Sequence, residues 1–220
     1  MAVADALKRR VSIRAFLDKP VPEETLRRIF ADAQLSPSNC NVQPWQAYVV
    51  SGEKKDLLKD RLVAAVISGR EPNPDFDWKV RYDGVHRDRQ FGAANALYSS
   101  MGIERSDKQA RQLAMLRNWT FFDAPHVVFF TMEKYLNIMG AVDIGIYAQT
   151  LTLLMVEQGI SCCMQGALGQ FPDPVRELLN IPAERGILFG MSFGYADESA
   201  DVNRTRTERI ALESSVEFLR

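Results

Sequence analysis

The sequence predicts an α+β fold, and its 220 residues are enough for one domain. Two observations support this class. Helical and strand patterns alternate along the chain, and the helical patterns cover more of it. One long apolar run, Met139 to Glu157, has the length of a buried helix, and β-rich runs lie on both sides of it. We expect a sheet of about four or five strands, which is a typical size.

The N-terminal third predicts two helices, a strand and a third helix. Val3 to Arg10 is expected to be a short helix, because its acidic residue comes early and its basic residues come late, as the helix dipole favours. Glu23 to Gln34 follows Pro22 and carries apolar residues at helical spacing. Trp45 to Val50 then predicts a strand, and Lys54 to Ile67 predicts an amphipathic helix.

The middle of the chain predicts an irregular stretch, two helices and a central strand. Glu71 to Gln90 has no clear periodicity. Gly92 to Gly102 and Asp107 to Asn118 have helical patterns. Val127 to Met132 is rich in β-forming residues, so we expect a central strand there.

The last third predicts two strands, a short helix and a polar arm. Gly159 follows the long apolar helix at the position of a C-cap. Ser161 to Gln165 and Gly186 to Tyr195 are expected to be strands, and Asp173 to Leu179 a short helix. The polar arm, Ala196 to Arg206, leads to the C-terminal segment.

Charge and cysteine content exclude several functional classes. The 27 basic residues almost balance the 28 acidic ones, so no overall positive field would attract nucleic acid or an anionic membrane. Cys40, Cys162 and Cys163 do not suggest a disulfide framework, so we expect reduced thiols in a cytoplasmic protein. No cysteine or histidine spacing suggests a zinc site. Polar residues interrupt the long apolar run, which favours a buried helix over a membrane span.

Two clusters of alternating basic residues are candidates for an anion site. Arg10, Ser12 and Arg14 are two residues apart, so an extended backbone would turn all three toward one side. Arg204 and Arg206 have the same spacing near the other end of the chain. Arginine forms forked, charge-assisted hydrogen bonds with phosphate, so the clusters predict a phosphate site if they meet. The alternative for each cluster is a solvated basic surface.

A loop rich in side-chain amides lies between Ser36 and Trp45 and contains Asn39, Asn41 and Gln43. Amide donors and acceptors suit a flat heterocycle with alternating carbonyls and ring nitrogens, such as the pyrimidine edge of a flavin. The alternative is an ordinary connection between a helix and a strand, because asparagine and proline favour turns in any case.

Three motifs, in this order along the chain, resemble the nitroreductase family of flavoproteins. They are Arg-x-Ser-x-Arg-x-Phe from Arg10, Ser-Pro-Ser-x-x-Asn-x-Gln-Pro-Trp from Ser36, and the basic pair that ends at Arg206. The resemblance implies a single FMN-binding domain over residues 1–220, with helices on both faces of a mainly antiparallel sheet. It also implies an intertwined homodimer with an exchanged C-terminal segment and one FMN at each subunit interface.

The resemblance further implies which residues bind FMN. The arginines and Ser12 would hold the phosphate end, the amide loop would reach the flavin of the partner subunit, and Asn118 would contact the pyrimidine ring. Gln165 and Gly166 would lie along the reactive edge, although Cys163 to Gly166 departs from the family's usual Pro-x-Gly and Gly-x-Gly turns. The full set is Arg10, Ser12, Arg14, Pro37, Ser38, Asn39, Asn41, Asn118, Gln165, Gly166, Arg204 and Arg206.

The mechanism that the resemblance implies needs no catalytic side chain, because the flavin carries the hydride. NADPH or NADH would donate it, and a small nitroaromatic or quinone-like acceptor would take it at the same site, which gives ping-pong kinetics. No Gly-x-Gly-x-x-Gly motif is present, so no Rossmann pocket decides between the two nicotinamides. His126 leads into an apolar strand and is expected to be a core residue.

Residues 72–91 are the expected lid or insertion over the substrate. Trp78 and Tyr82 are candidates to stack on an aromatic ring, and Arg87 is a candidate to pair with a carboxylate such as that of nitrobenzoate. The alternative is a surface excursion whose arginines pair with Asp83 and Asp88.

Three other functions are consistent with the same motifs. A flavin enzyme of this fold could reduce enones or halogenated aromatics, and a flavin-binding protein could serve storage or sensing without turnover. An unrelated phosphate-binding domain would contain no flavin at all. Turnover with different acceptors and the presence of a bound flavin separate these alternatives.

Overall fold

The computed structural model describes residues 1–77 and 80–220. Within these ranges the chain forms seven α-helices and one four-stranded antiparallel sheet, which confirms the α+β class. The elements are α1 (Val3–Arg9), α2 (Glu23–Ala33), β1 (Gln46–Ser51), α3 (Gly52–Ile67), α4 (Gly84–Ser100), α5 (Lys108–Leu116), β2 (His126–Glu133), α6 (Asn137–Glu157), β3 (Ser161–Gln165), α7 (Pro172–Leu179) and β4 (Arg185–Gly194).

The sheet has the strand order β1-β2-β4-β3, and every pair of neighbours is antiparallel. Phe129 of β2 lies opposite Tyr48 of β1 and opposite Gly190 of β4, so β2 is an interior strand, as predicted. Gln165, the last residue of β3, also lies opposite Gly190.

The two faces of the sheet are covered by different helices. Successive side chains of a strand point to opposite faces, and in β2 this separates Val128 and Phe130 from Val127 and Phe129. The first pair belongs to a cluster that includes side chains of α2 and α6, and the second pair to a cluster that includes side chains of α3 and α7. Every one of these four residues is fully buried. The fold is therefore a sandwich with helices on both faces of the sheet.

Helix α6 is the apolar helix that the sequence predicts between Met139 and Glu157. The stretch Lys134–Glu157 is long and apolar enough to meet a length and composition test for a membrane span. Eight residues of α6 are nevertheless buried against the rest of the chain, among them Ile144, Tyr147 and Leu151. These side chains belong to the core beneath the sheet, which identifies α6 as a core helix.

The clearest difference from the sequence prediction lies in α4. The stretch Glu71 to Gln90 was expected to be irregular, but α4 begins at Gly84 and continues to Ser100. No residue of α4 is buried, so the helix lacks the apolar periodicity that marks a helix packed on a core. Eight of the 20 residues of the expected lid, residues 84–91, are therefore helical.

Candidate functional site

A cavity of about 570 Å³ lies between the N-terminal segment, α4, α6 and the C-terminal arm. Arg10, Ser12 and Arg14 line it together with Arg206, although about 190 residues separate the two clusters. The structure thus brings three residues of the first predicted cluster and one of the second to a single site. Its remaining lining residues are Leu7, Lys8, Val11, Ala93, Leu97, Gln149, Thr205, Thr207 and Arg209.

The N-terminal segment reaches the cavity as an extended strand-like chain at the edge of the sheet. Ser12 forms a parallel bridge with Cys162 of β3, and Ile13 N donates to the carbonyl of Cys162 at 3.1 Å. Ile13 and Ala15 are buried, whereas Ser12 and Arg14 are partly exposed and line the cavity. The predicted alternation of this segment is therefore confirmed, and it explains how Ser12 and Arg14 face one side.

The cavity is strongly cationic. Lys8, Arg10, Arg14, Arg206 and Arg209 line it, and none of its lining residues within the described ranges is a carboxylate. Side chains of one sign around a concave surface concentrate the opposite charge, and guanidinium groups suit phosphate oxygens. The donor set therefore fits a phosphate ester.

Arg204 does not join this cavity. It lies in the 3-10 turn Asp201–Arg204, and its guanidinium pairs with Asp201 at 2.9 Å on the surface. In a turn of this kind, residues two apart do not share a face, so the extended-chain reasoning fails for Arg204. Arg209, which the sequence reasoning missed, lines the cavity instead. Arg209 follows Arg206 by three residues, so it does not match the two-residue spacing that marked the basic clusters.

Asn118 and Gln165 meet at the end of β3. Gln165 is almost fully buried, and its amide nitrogen donates to the Asn118 carbonyl at 2.9 Å and to Asn118 Oδ1 at 3.3 Å. Ser192 Oγ donates to Gln165 Oε1. The side chain of Gln165 therefore points into the protein and supports Asn118, while the next residue, Gly166, is exposed.

Arg14 connects this region to the cationic cavity. A second, smaller cavity of about 90 Å³ is lined by Arg14 and Asn118, with Leu97 contributing to both cavities. Residues predicted for the phosphate end and for the ring end of FMN thus line two cavities that share Arg14 and Leu97.

A strained turn follows Asn118 directly. Phe121, Phe122 and Asp123 have φ values of 59°, 54° and 63°, which place three successive residues in the left-handed region. This conformation costs roughly 1–2 kcal/mol for each residue other than glycine, and such residues cluster at functional sites. Phe121 N donates to the Asn118 carbonyl at 3.2 Å, so the turn contributes to the position of Asn118.

The amide loop is held by hydrogen bonds but lies outside the cationic cavity of its own chain. Asp143 Oδ1 of α6 accepts from Asn39 N at 3.1 Å, and Ser38 Oγ accepts from Gln43 N at 2.9 Å. Pro37, Asn39 and Asn41 are exposed. One chain therefore does not bring this loop to the residues around Arg10.

The first part of the expected lid is fixed to the sheet. The Asp75 side chain is only 8% exposed. It accepts from Arg176 at 2.7 Å and from Ile187 N at 2.9 Å, and it pairs with Lys134 at 2.9 Å. Segment 80–83 is solvent-exposed.

The three residues predicted to contact the substrate differ in where they lie. Tyr82 lines a cavity of about 540 Å³ between the lid and Gln170. Arg87 lies over the Phe91 ring, 5.3 Å from its centre, and does not line that cavity. Trp78 lies outside the described residues.

His126 is a core residue, as predicted. Its Nε2 accepts from Val21 N at 2.8 Å, and Nδ1 lies 2.5 Å from Ser51 Oγ. Burial, together with the nearby positive charge of Lys55, lowers the pKa of His126 from 6.5 to about 4. The histidine is therefore neutral near pH 7 and takes no part in the cavity.

Comparison with known proteins settles the family. A model of the Nitroreductase family matches residues 7–195. The chain belongs to the nitroreductase family. This nitroreductase is similar to nitroreductase NfnB from Mycolicibacterium smegmatis, with 39% identity over 215 residues, 97% of this chain and 91% of that protein. It is also similar to 4-nitrobenzoate reductase from Nocardioides sp., with 33% identity over 220 residues, 98% of this chain and 89% of that protein.

A solved structure agrees with this assignment. The nitroreductase resembles the crystal structure of FMN and NADPH-dependent nitroreductase NfnB from Sphigopyxis sp. strain HMH with a TM-score of 0.96 and 36% identity, covering 100% of both chains. The segment matched by the family model includes the first basic cluster, the amide loop, Asn118 and Gln165, but it ends before Arg206 and Arg209. The arm that completes the cationic cavity of this nitroreductase is therefore outside the matched segment.

Proposed function

We propose that this nitroreductase binds FMN and uses NADPH to reduce nitroaromatic compounds. The observation that carries the proposal is the cationic cavity, in which Arg10, Ser12, Arg14 and Arg206 converge next to Asn118. The relatives named above support the chemistry: one is described as FMN and NADPH-dependent, and another as a 4-nitrobenzoate reductase. The choice of NADPH over NADH rests on the relative that is described as FMN and NADPH-dependent.

The residues of the site fit FMN from its phosphate to its ring. Arg10, Ser12, Arg14 and Arg206 would hold the phosphate, because arginine and hydroxyl donors match its oxygens. Asn118 would meet the pyrimidine edge, and the exposed backbone at Gly166 would lie along the ring. The bound flavin would supply hydride transfer, and the protein would supply position and positive charge.

A homodimer would complete this site. Ile138, Val142 and Ile146 are spaced four residues apart along α6, and their side chains are exposed. The same helix holds the amide loop through Asp143, so a partner packed on this apolar face would receive that loop. The exposed apolar residue Phe218 near the C-terminus fits the exchanged segment. Two-fold dimers are the commonest oligomers of soluble proteins.

The dimer is tested by charge insertion. Val142→Glu should convert the dimer to a monomer in sedimentation velocity and should weaken FMN binding, because a buried unpaired charge opposes association. Leu113→Glu, on an exposed apolar residue of α5, is the matched control and should leave the dimer intact. A Val142→Glu monomer with unchanged FMN affinity would contradict a site shared between subunits.

The substrate class is the second part of the proposal. Arg81 and Arg87 carry positive charge on or beside the segment that borders the Tyr82 cavity, so a nitroaromatic with a carboxylate suits this surface. However, Arg81 also lies 4.0 Å from Asp83, which matches the alternative of a solvated surface pair. Comparing kcat/KM for 4-nitrobenzoate and nitrobenzene decides between them. If the wild type prefers 4-nitrobenzoate and Arg87→Ala does not, the arginines bind the carboxylate. If kcat/KM is equal for the two substrates in both proteins, the arginines form a solvated surface pair instead.

The cofactor and both half-reactions can be tested in one experiment. Purified protein should show flavin absorbance that bleaches anaerobically with NADPH and recovers when 4-nitrobenzoate is added. Absence of flavin after incubation with FMN would refute the proposal. Bound flavin that NADPH does not bleach would indicate a storage or sensing protein. Recovery with a quinone or an enone, but not with a nitroaromatic, would indicate a different acceptor.

The residues proposed to hold the FMN phosphate have their own test. The double variant Arg10→Ala with Arg206→Ala should raise the Kd for FMN by at least about 100-fold, because hydrogen bonds to charged groups contribute roughly 1.5–3 kcal/mol each. Arg204→Ala should change it by less than about threefold, since Arg204 pairs with Asp201 outside the cavity. Equal effects of the two changes would mean that the arm rearranges when FMN binds. We also propose a cytoplasmic location, in line with the three free cysteines.

A further inference from the structure

Asn203 is a buried polar residue at the junction of the two halves of the cationic cavity. Its side chain is 8% exposed, and it lies in the turn Asp201–Arg204. Oδ1 accepts from Arg14 N at 2.7 Å. Nδ2 donates to the carbonyls of Ala15 and Asp197, each at 2.8 Å. Both hydrogens of the amide nitrogen and its carbonyl oxygen are therefore used.

The backbone of the same residue holds the other half of the cavity. The Asn203 carbonyl accepts from Nη1 of Arg206 at 2.8 Å. Asn203 thus bonds to the N-terminal segment at Arg14 and Ala15 and also fixes the guanidinium of the arm. Within the described ranges, no other residue forms hydrogen bonds to both Arg14 and Arg206.

Electrostatics explain why such a connection is needed. Arg14 and Arg206 line one cavity and carry the same charge, and no described lining residue is a carboxylate. Two positive charges that line the same cavity repel each other when no anion is bound. A neutral amide that bonds to backbone atoms can hold the two segments together without occupying either guanidinium's remaining donors or reducing the positive charge.

We propose that Asn203 is the positioning residue that preorganises the anion cavity for the phosphate of FMN. Holding both segments in place before the ligand arrives reduces the ordering cost of binding. The proposal rests on the FMN-binding function proposed above. It assigns to Asn203 a larger effect on the phosphate end of the ligand than on the ring, because Asn203 bonds to Arg14 and Arg206, which both line the larger cavity.

The test compares FMN with riboflavin, which lacks the phosphate. Asn203→Ala should raise the Kd for FMN by about tenfold or more and should change the Kd for riboflavin by less than about twofold. Asn203→Ser adds no charge and keeps a polar side chain but removes both amide donors, so it should also weaken FMN selectively. It serves as the second variant if the alanine protein does not fold.

Thr131→Val is the matched control. Thr131 is fully buried and its hydroxyl donates to the Gln46 carbonyl at 3.0 Å, away from the cavity. This variant should lower the melting temperature without changing the ratio of the two Kd values. A second readout is FMN release from the holoprotein on dilution, which should be faster in both Asn203 variants.

Each outcome has one meaning. A raised Kd for FMN alone, with faster release, supports the positioning role. Equal weakening of FMN and riboflavin, or no change in either, would overturn it, because a merely structural residue affects both ligands alike. If riboflavin binding is too weak to measure in the wild type, unchanged FMN release in both variants overturns the role. Failure of the wild type to bind FMN would refute the proposed function instead, and so the two failures are distinguishable.

Discussion

Acidification should destabilise the protein through His126, and the effect follows from two contacts and one pKa. The ring is 4% exposed, and its Nε2 accepts a hydrogen bond from Val21 N. Protonation of Nε2 would remove that acceptor and place a charge in the core next to Phe193, on which the ring stacks, and near Lys55. Burial is the largest cause of the lowered pKa, and the Lys55 charge adds to it.

The sign and size of the effect follow from linkage. In the unfolded chain His126 takes up a proton as the pH falls below 6.5, whereas in the folded protein it does so only near pH 4. The stabilising contribution is therefore complete above 6.5 and is lost as the pH falls toward 4. A tenfold change in a proton affinity corresponds to 1.36 kcal/mol, so the loss reaches about 2 kcal/mol at pH 5 and about 3 kcal/mol below pH 4.

The assay is urea unfolding at fixed protein and FMN concentrations between about pH 8 and pH 4.5, for the wild type and His126→Gln. Glutamine can still accept from Val21 N but does not titrate, so the stability difference between the two proteins should shrink by about 2 kcal/mol toward pH 5. His86→Gln, at the exposed histidine of α4, is the control and should follow the wild type. A wild-type advantage over His126→Gln that is constant with pH would refute the reasoning.

Three further substitutions test the packing around the site. Asp75→Asn should cost about 3 kcal/mol in urea unfolding, because it leaves two cations without their buried carboxylate; a cost below about 1 kcal/mol would mean that solvent replaces it. Gly169→Ala should cost about 1–3 kcal/mol, since the new Cβ would lie 2.6 Å from the Leu188 carbonyl oxygen, and an unchanged melting temperature would show that the backbone moves freely there. Trp119→Phe should cost about 1–3 kcal/mol through lost packing alone, because the buried Nε1 has no partner within the described residues, and a larger loss would reveal one.

Local patterns predicted the parts of the fold and site that depend on neighbouring residues. The period-two pattern of the N-terminal segment placed Ser12 and Arg14 on one side, and the structure buries Ile13 and Ala15 on the other. The β-rich run at Val127 correctly predicted an interior strand because it is apolar on both faces. In each case the residues that determine the conformation are adjacent in sequence.

The prediction failed where conformation depends on distant contacts. Arg204 and Arg206 have the spacing of Ser12 and Arg14, but the 3-10 turn before Thr205 turns Arg204 toward Asp201. That turn is held by Asn203 through bonds to a segment 188 to 189 residues away, which no local pattern contains. The helical start of α4 was missed for a different reason: none of its residues is buried, so its sequence lacks the apolar periodicity of a helix that packs on a core.

Backbone strain occurs in the amide loop and in the turn near Asn118, two segments that the proposed function assigns to flavin binding. Cys40, Asn41 and Gln43 of the amide loop have φ values of 48°, 57° and 45°, and the turn after Asn118 is left-handed over three residues. Glycine would adopt these angles without strain, yet glycine is absent from both turns, so the surrounding contacts must hold them. The bond from Asn39 N to Asp143 and the bonds to the Asn118 carbonyl supply such contacts. These contacts, and not the conformational preferences of the residues, hold the two turns in place, and a turn that is already held in place favours tight binding of a rigid ring.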